Sequence, residues 1–112
     1  MKNYSQALNN LVRRIVEEIR PLRIILFGSV ARNSKSEDSD IDLLVIVPEG
    51  IHRRHAAHLL YKNIRNIGIP FDLLVVTNND LEKYKDTAGF IYQEILSEGK
   101  EVYALWWRSR FS

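Results

Sequence analysis

Apolar residues recur at three- and four-residue spacing along two stretches of the chain, as they do on the buried face of an amphipathic helix. The first stretch predicts a helix from Asn3 to Arg20 that Pro21 stops, because the residue before a proline is pushed out of the helical conformation. The second stretch predicts a helix from Ile51 to Ile67, with Gly68 as its C-terminal stop.

Short runs of β-branched and aromatic residues, bounded by glycine, proline or polar clusters, predict strands. They lie at Arg23 to Phe27, Asp40 to Val47, Phe71 to Thr77 and, as a short edge strand, Glu101 to Leu105. After the first strand we predict a helical turn from Ser29 to about Asn33, with Ser29 near its cap, and then a polar loop from Ser34 to Ser39. After the third strand we predict a short helix from Asp80 to Tyr84, capped by Asn78 or Asn79. A further helix is predicted from about Thr87 to Ser97. Strands alternating with helices indicate an α/β layered domain.

Length and composition narrow the class of protein. With 112 residues, 46% of them hydrophobic and 27% charged, the chain fits one globular domain, expected over residues 1–105 with a tail at 106–112. The longest apolar run, at 41–47, is too short to span a bilayer, and the N-terminus lacks an apolar signal core. No cysteine is present, so we expect a cytoplasmic protein without disulfides. A net charge of +2 does not predict direct nucleic-acid binding.

The second strand opens with two aspartates in the segment Ser39-Asp40-Ile41-Asp42-Leu43-Leu44-Val45. Residues two apart on a strand project from the same face, so the carboxylates of Asp40 and Asp42 point together and repel each other unless a cation lies between them. Alone, the pair also fits a strand that merely begins in solvent. Asp72 opens the third strand and can reach the same face if the two strands are neighbours. Three carboxylates suit a site for two Mg²⁺ ions in phosphoryl or nucleotidyl transfer, with Asp72 as a general base.

The first strand ends in Gly28-Ser29, where the chain enters a helical turn. Backbone N–H groups, the Ser29 hydroxyl and the close approach that glycine allows make this turn a candidate phosphate site. Gly-Ser is also common in ordinary turns, and the placement near the carboxylates is what favours phosphate binding. Arg32 would lie near the same mouth, where it could clamp phosphate or pair with a carboxylate.

The blocks Gly28-Ser29-Val30-Ala31-Arg32 and Ser39-Asp40-Ile41-Asp42-Leu43-Leu44-Val45, with the short polar loop between them, resemble the signature of the minimal nucleotidyltransferase (MNT) family of the DNA polymerase β superfamily. The resemblance covers much of the chain, from the leading helix to the segment that ends at Tyr103. It implies the nucleotidyltransferase fold, of class α/β (α+β), with a small mixed β-sheet flanked by helices.

The resemblance also implies roles for individual residues around the nucleotide. Gly28 and Ser29 would bind the triphosphate of ATP, with Arg32 and Ser39 as further nucleotide contacts. The family pattern usually has glycine after the arginine, where this chain has Asn33. Asparagine is among the residues that best tolerate a left-handed backbone conformation, so we expect the turn to be kept.

For the carboxylates, the resemblance implies that Asp40 and Asp42 ligate metal and that Asp72 completes the site for two Mg²⁺ ions. Small proteins of this family typically pair with HEPN-domain toxins in prokaryotic toxin–antitoxin modules. The implied function is that of an antitoxin, a Mg²⁺-dependent protein adenylyltransferase that moves AMP from ATP to a tyrosine of its HEPN ribonuclease partner. Because larger relatives carry an added domain for the acceptor, we expect the partner to hold the acceptor here, in a hetero-oligomer.

Two other classes of function stay open. The chain could be a degenerate transferase that blocks its toxin by contact alone; the three intact aspartates argue against this, whereas Asn33 leaves room for it. It could also be a small-molecule nucleotidyltransferase of the aminoglycoside-modifying kind, with an acceptor pocket built at an oligomer interface.

Two further segments carry weaker signals. Ile51-His52-Arg53-Arg54-His55-Ala56-Ala57-His58 holds three histidines, but helical spacing spreads them over a wide arc and the arginines repel a cation. We therefore interpret the segment as a solvated basic helix face, with contact to an acidic partner as the alternative. The aromatic and basic tail from Trp106 to Phe111 fits packing onto the domain, contact with a partner, or a flexible end.

Overall fold

The computed structural model describes residues 3–32, 39–84 and 90–105, which form a four-stranded mixed sheet with helices on both faces. The elements are α1 (Tyr4–Ile19), β1 (Arg23–Phe27), α2 (Gly28–Ala31), β2 (Ile41–Val47), α3 (Arg53–Asn63), β3 (Phe71–Thr77), α4 (Asn78–Tyr84), α5 (Phe90–Glu98) and β4 (Lys100–Ala104). The strand order is β3-β2-β1-β4, in which β1 is antiparallel to both of its neighbours and β2 is parallel to β3. The small mixed sheet flanked by helices is confirmed, as is the edge position of the last strand.

Some predictions fall outside the described residues: those for Asn33, for the loop at 34–38, for the start of the fifth helix at 87–89, and for the tail at 106–112. Within the described ranges, no helix is long and apolar enough to cross a membrane.

One face of the sheet packs against α1 and α3. Alternate residues of a strand point to opposite faces, and one alternating set joins the apolar stripes of the two helices in the larger core. Its fully buried members include Leu11, Ile15, Ile24, Leu43, Val45 and Leu60. The long amphipathic pattern of the N-terminal helix is therefore used as predicted, to cover this face.

The opposite face packs against α4 and α5 through a smaller core. Its members are Ile25, Leu44, Ile46, Val76, Leu81 and Ile95. The central strand β2 is thus buried on both faces, which explains an apolar run interrupted only by Asp42. Because the smaller core leaves one end of this face uncovered by buried apolar residues, the sheet has room there for polar groups.

The helix α3 is shorter than predicted at both ends, spanning Arg53–Asn63 instead of Ile51 to Ile67. At its start, Nδ1 of His52 accepts a hydrogen bond from the His55 N–H at 3.2 Å and so caps the helix. After its end, Ile64 is extended (φ −93°, ψ 117°) yet buried. The apolar spacing beyond the helix therefore reflects an extended segment that packs on the core, and the glycine predicted as the stop lies further along.

Two predicted helix caps are also wrong. The turn α2 begins one residue earlier than predicted with Phe27 as N-cap, so Ser29 lies inside it. The helix α4 begins at Asn78 directly after β3, and its first turn is closed by Thr77 and Asp80. The Asp80 N–H donates to the Thr77 hydroxyl (3.1 Å) and the Thr77 N–H donates to the Asp80 carboxylate (3.0 Å), as in a capping box.

Gly99 lies at the junction where α5 turns into β4, and the space there admits no side chain. A Cβ at this position would collide with the carbonyl oxygen of Ile95 and a methyl group of Ile25, and would stand 3.0 Å from the carbonyl oxygen of Leu26. The glycine therefore lets α5 lie close against β1.

Gly99→Ala should lower the free energy of unfolding by about 1–3 kcal/mol, because two of the three obstacles are backbone atoms that cannot rotate away. The exposed Ser97→Ala on the same helix is the control and should change it by less than about 0.5 kcal/mol. Urea unfolding followed by circular dichroism measures both, and equal midpoints would contradict the close packing at this junction.

Candidate active site

Two of the three predicted site aspartates lie side by side in the sheet. The parallel register of β2 and β3 pairs Asp42 directly with Asp72, so both side chains project from the face that carries α4 and α5. Asp42 is half-buried and Asp72 is exposed. Asp40 was predicted as the first residue of the strand, but β2 begins at Ile41 and Asp40 lies in the segment just before it.

The Gly28 turn lies against the Asp42 carboxylate. In the antiparallel register of β1 and β2, Phe27 is opposite Asp42, which brings the end of one strand to the start of the other. Gly28 has a φ of 78°, and a Cβ built on it would collide with Oδ2 of Asp42. Glycine is therefore required here for two reasons, the left-handed backbone and the contact with the carboxylate.

The short helix α2 places its apolar and polar residues on different sides. Val30 and Ala31 are buried in the larger core, Ser29 is half-buried, and Arg32 is exposed at the end of the turn. Within the described part of the chain Arg32 forms no ion pair, so no carboxylate there neutralises its charge. It borders a cavity of about 190 Å³ lined by Phe27, Arg32, Glu94, Ile95, Glu98 and Gly99.

The electrostatics of the three aspartates follow from this arrangement. Partial burial raises the pKa of Asp42 above its ordinary value, and the negative charges of Asp72 and Asp40 raise it further. Without a cation, ionising Asp42 therefore costs more free energy in the folded protein than in an unfolded chain.

These residues fit a divalent cation in the chemistry of their donors. Carboxylate oxygens are the hard ligands that Mg²⁺ prefers, and a cation would relieve the repulsion that raises the pKa of Asp42. Within the described ranges, however, no three His, Cys, Asp or Glu side chains are close enough together to hold one metal ion. The carboxylates of Asp40, Asp42 and Asp72 therefore lie in the same region but do not converge on one point, as expected for like charges that repel each other.

Ser39, predicted to contact nucleotide, is half-buried in the segment before β2. Its carbonyl oxygen accepts a hydrogen bond from the Tyr4 hydroxyl at 2.9 Å. Tyr4 packs against the larger core, and the helical spacing of apolar residues gave no signal of this contact. The cavity residues Glu94 and Glu98 were missed as well, since an exposed acidic pair on a helix carries no specific pattern.

A larger cavity, of about 480 Å³, lies at the other end of β2 and β3 and is lined by Glu49, Gly50, Ile51, His52, Arg53, Arg54, Thr77 and Asp80. Its charged groups are mostly engaged within the protein: Arg53 pairs with Asp80 at 3.1 Å, and Glu49 accepts a hydrogen bond from the Asn79 N–H at 2.8 Å. The three histidines of the basic segment are exposed, as expected. Size alone would favour this cavity, but the cluster of carboxylates favours the other end of the sheet.

The sequence matches a known family along most of its length. Residues 9–105 match the profile of the family described as polymerase beta, nucleotidyltransferase. The chain therefore belongs to the polymerase β nucleotidyltransferase family, which confirms the class that the two sequence blocks implied. No curated protein matches it significantly.

Solved structures share the fold at low sequence identity. A proposed nucleotidyltransferase from Sulfolobus solfataricus aligns with a TM-score of 0.54 at 19% identity, covering 94% of this chain and 93% of that one. A toxin–antitoxin complex with AMP-PNP aligns with a TM-score of 0.60 at 20% identity, covering 91% and 77%. A complex of tri-AMPylated Shewanella oneidensis HEPN toxin with MNT antitoxin aligns with a TM-score of 0.56 at 17% identity, covering 95% and 76%.

Asp42→Asn should raise the melting temperature at pH 7, in the absence of divalent cations, by a few degrees. A raised pKa means that the ionised carboxylate lowers stability above the folded-state pKa, and that this cost vanishes where the residue is protonated in both states. The gain should therefore disappear near pH 3, below the ordinary aspartate value of about 3.9. Thermal unfolding across this pH range measures it.

Asp80→Asn is the control of opposite sign. The Thr77 N–H, then the Thr77 hydroxyl and Arg53, hold the pKa of Asp80 below its ordinary value against a smaller opposing effect of burial. Its ionised form stabilises the fold above the unfolded-state pKa, and that stability is lost as the pH falls through the folded pKa. Asp80→Asn should thus lower the melting temperature at pH 7. Equal shifts of one sign in both variants would contradict the electrostatic account.

Proposed function

We propose that this chain is an antitoxin that transfers AMP from ATP to a tyrosine hydroxyl of a cognate HEPN ribonuclease toxin in the cytoplasm. Membership of the nucleotidyltransferase family supports the reaction class. The fold shared with toxin–antitoxin complexes, one with AMP-PNP and one with a tri-AMPylated toxin, supports the partner. The observation that carries the proposal is the pairing of Asp42 with Asp72 beside the Gly28 turn.

In this proposal the three aspartates hold Mg²⁺, with Asp40 and Asp42 supplied by the start of β2 and Asp72 by the start of β3. When bound, two Mg²⁺ ions neutralise the triphosphate and orient the leaving pyrophosphate. The backbone of Gly28 and the hydroxyl of Ser29 bind the triphosphate. Only glycine lets the chain pass this close to the Asp42 carboxylate, so this turn lies directly beside the proposed metal site.

Asp72 is proposed as the general base because it is the exposed member of the pair, on a strand at the edge of the sheet. A tyrosine of a partner protein can reach this edge without entering the core. The tyrosine oxygen forms a bond to the α-phosphorus of ATP, the bond from that phosphorus to the bridging oxygen breaks, and pyrophosphate leaves. The phenolic proton passes to Asp72. Arg32 and Ser39 complete the nucleotide contacts, with Arg32 charge-paired to phosphate.

Gly28→Ala should weaken binding of AMP-PNP at least tenfold, a factor that corresponds to about 1.4 kcal/mol, because the added Cβ meets the Asp42 carboxylate. Gly68→Ala is the matched control: its φ of 91° is also left-handed, but a Cβ there meets nothing within 4 Å. Both variants carry the same kind of backbone strain, and only the first changes the proposed site. Calorimetric titration with Mg²⁺ present measures the affinities.

In the same titration, Ser29→Ala should lose about 1–3 kcal/mol of binding free energy, the contribution of one charge-assisted donor among several. Unchanged affinity in both the Gly28 and Ser29 variants would rule out this turn as the phosphate site. An equal loss in the Gly68 control would assign the effect of Gly28→Ala to general strain.

Asp40→Asn combined with Asp42→Asn should abolish AMP transfer, by at least a hundredfold, and leave the fold intact or more stable because like-charge repulsion is removed. The assay follows labelled AMP from ATP onto the HEPN toxin, and circular dichroism follows the fold. Transfer that survives in the double variant would overturn the proposed mechanism.

The same variant separates neutralisation by chemistry from neutralisation by contact. Wild-type chain should protect against toxin ribonuclease activity at substoichiometric amounts when ATP and Mg²⁺ are present, since one catalyst modifies many toxin molecules. The double variant should still bind the toxin without protecting at such ratios. Protection that needs a full equivalent of wild type and ignores ATP would instead identify a binding module.

A further inference from the structure

The Tyr4 hydroxyl reaches from the first turn of α1 to the residue that precedes Asp40. It donates a hydrogen bond to the carbonyl oxygen of Ser39 at 2.9 Å, while the Tyr4 ring packs against the larger core on the back face of the sheet. Ser39 and Asp40 lie just before the first residue of β2. The tyrosine hydroxyl therefore holds main chain just outside the strand.

On the other side of Asp40 the main chain is held by the segment before β3. The Ile41 N–H donates to the carbonyl oxygen of Pro70 at 2.9 Å. Asp40 is thus flanked by two hydrogen-bonded positions, Ser39 through Tyr4 and Ile41 through Pro70. Fixing the backbone on both sides of a residue limits the positions its side chain can reach, which preorganises a ligand before a cation arrives.

A second tyrosine on the back face makes a comparable contact beside Asp72. The Leu73 N–H donates to the Tyr61 hydroxyl oxygen at 2.7 Å, and the Tyr61 ring stacks on Phe71 with centroids 5.8 Å apart. In the described part of the chain β3 is an edge strand, and the hydroxyl of the α3 tyrosine accepts this N–H on the strand's open side. Both contacts reach from the helices behind the sheet to backbone next to a carboxylate in front.

We propose that Tyr4 and Tyr61 are positioning residues for the carboxylate site: their hydroxyls fix the backbone next to Asp40 and Asp72. The proposal rests on the metal site of the proposed function, and it adds two residues that neither touch the nucleotide nor project from the site's face. Tyr4 has the larger effect, since its contact is partly buried, whereas the contact of Tyr61 is exposed and water can replace it.

Tyrosine-to-phenylalanine changes isolate the hydroxyl, because the ring packing is kept. Tyr4→Phe should weaken Mn²⁺ binding about three- to tenfold, the factor that corresponds to the loss of one such hydrogen bond, and Tyr61→Phe should weaken it less. Tyr103→Phe is the matched control and should leave the affinity unchanged: its ring is also partly buried against the larger core, but it lies on β4. The free Mn²⁺ signal in electron paramagnetic resonance measures the affinity of the intact chain without nucleotide.

A double-mutant cycle separates positioning from a general structural role. A residue that acts through Asp40 has nothing left to position once that carboxylate is gone, so Tyr4→Phe should change Mn²⁺ binding little in an Asp40→Asn background. In the transfer assay, Tyr4→Phe should lower kcat with the KM for ATP unchanged. A merely structural role would lower the melting temperature and leave the affinity and kcat of the folded fraction as in wild type.

Each result decides between the two proposals. Mn²⁺ affinity that is unchanged in Tyr4→Phe, or a loss that is the same with Asp40 and with Asn at that position, would overturn the positioning role. If wild type bound no Mn²⁺, the metal site and the positioning role would both fail. If Mn²⁺ binding behaved as expected but no AMP reached the toxin, the proposed function would fail and the positioning role would stand.

Discussion

The strand β2 is hydrogen-bonded to β1 on one side and to β3 on the other, and it carries Asp42 into an otherwise apolar layer. A half-buried carboxylate with two like charges nearby lowers stability, as the raised pKa of Asp42 records. The neighbouring parts of the site are defined by their relation to this group: the Gly28 backbone packs against it, and Asp72 pairs with it across the ladder. Local instability of this kind is typical of functional sites, where a ligand relieves it.

The two faces of the sheet differ in how many buried apolar residues they carry. The back face, covered by α1 and α3, supplies most of the buried apolar residues and therefore most of the stability. The front face has the smaller core near α4 and α5 and leaves the start of β2 to polar groups. Through Tyr4 and Tyr61, the helices on the well-packed back face hold the backbone next to the carboxylates on the front face. The carboxylates therefore keep their positions although their mutual repulsion is not neutralised.

How much of this could be predicted depends on the range of each interaction. Strand positions are local patterns and were predictable, but Asp40, expected to open the second strand in alternation with Asp42, lies just before β2. Pairing with Asp72 depended on which strands are neighbours, which the family resemblance implied and local pattern did not. The end of α3 was misplaced because Ile64 keeps helical spacing while it packs in an extended segment. The role of Tyr4 could not be predicted, since helical spacing identifies an apolar face but not the direction in which a hydroxyl points.

The register of β2 against β3 has a consequence for the fidelity of folding. A slip by one residue would turn every side chain of β3 to the other face, moving Val76 out of the front core and Asp72 toward the packed helices behind. Such a chain would lose apolar packing on both sides at once. The hydrophobic alternation that stabilises the sheet thus also selects the register that the site requires. A chain that has reached the packed fold has Asp72 paired with Asp42.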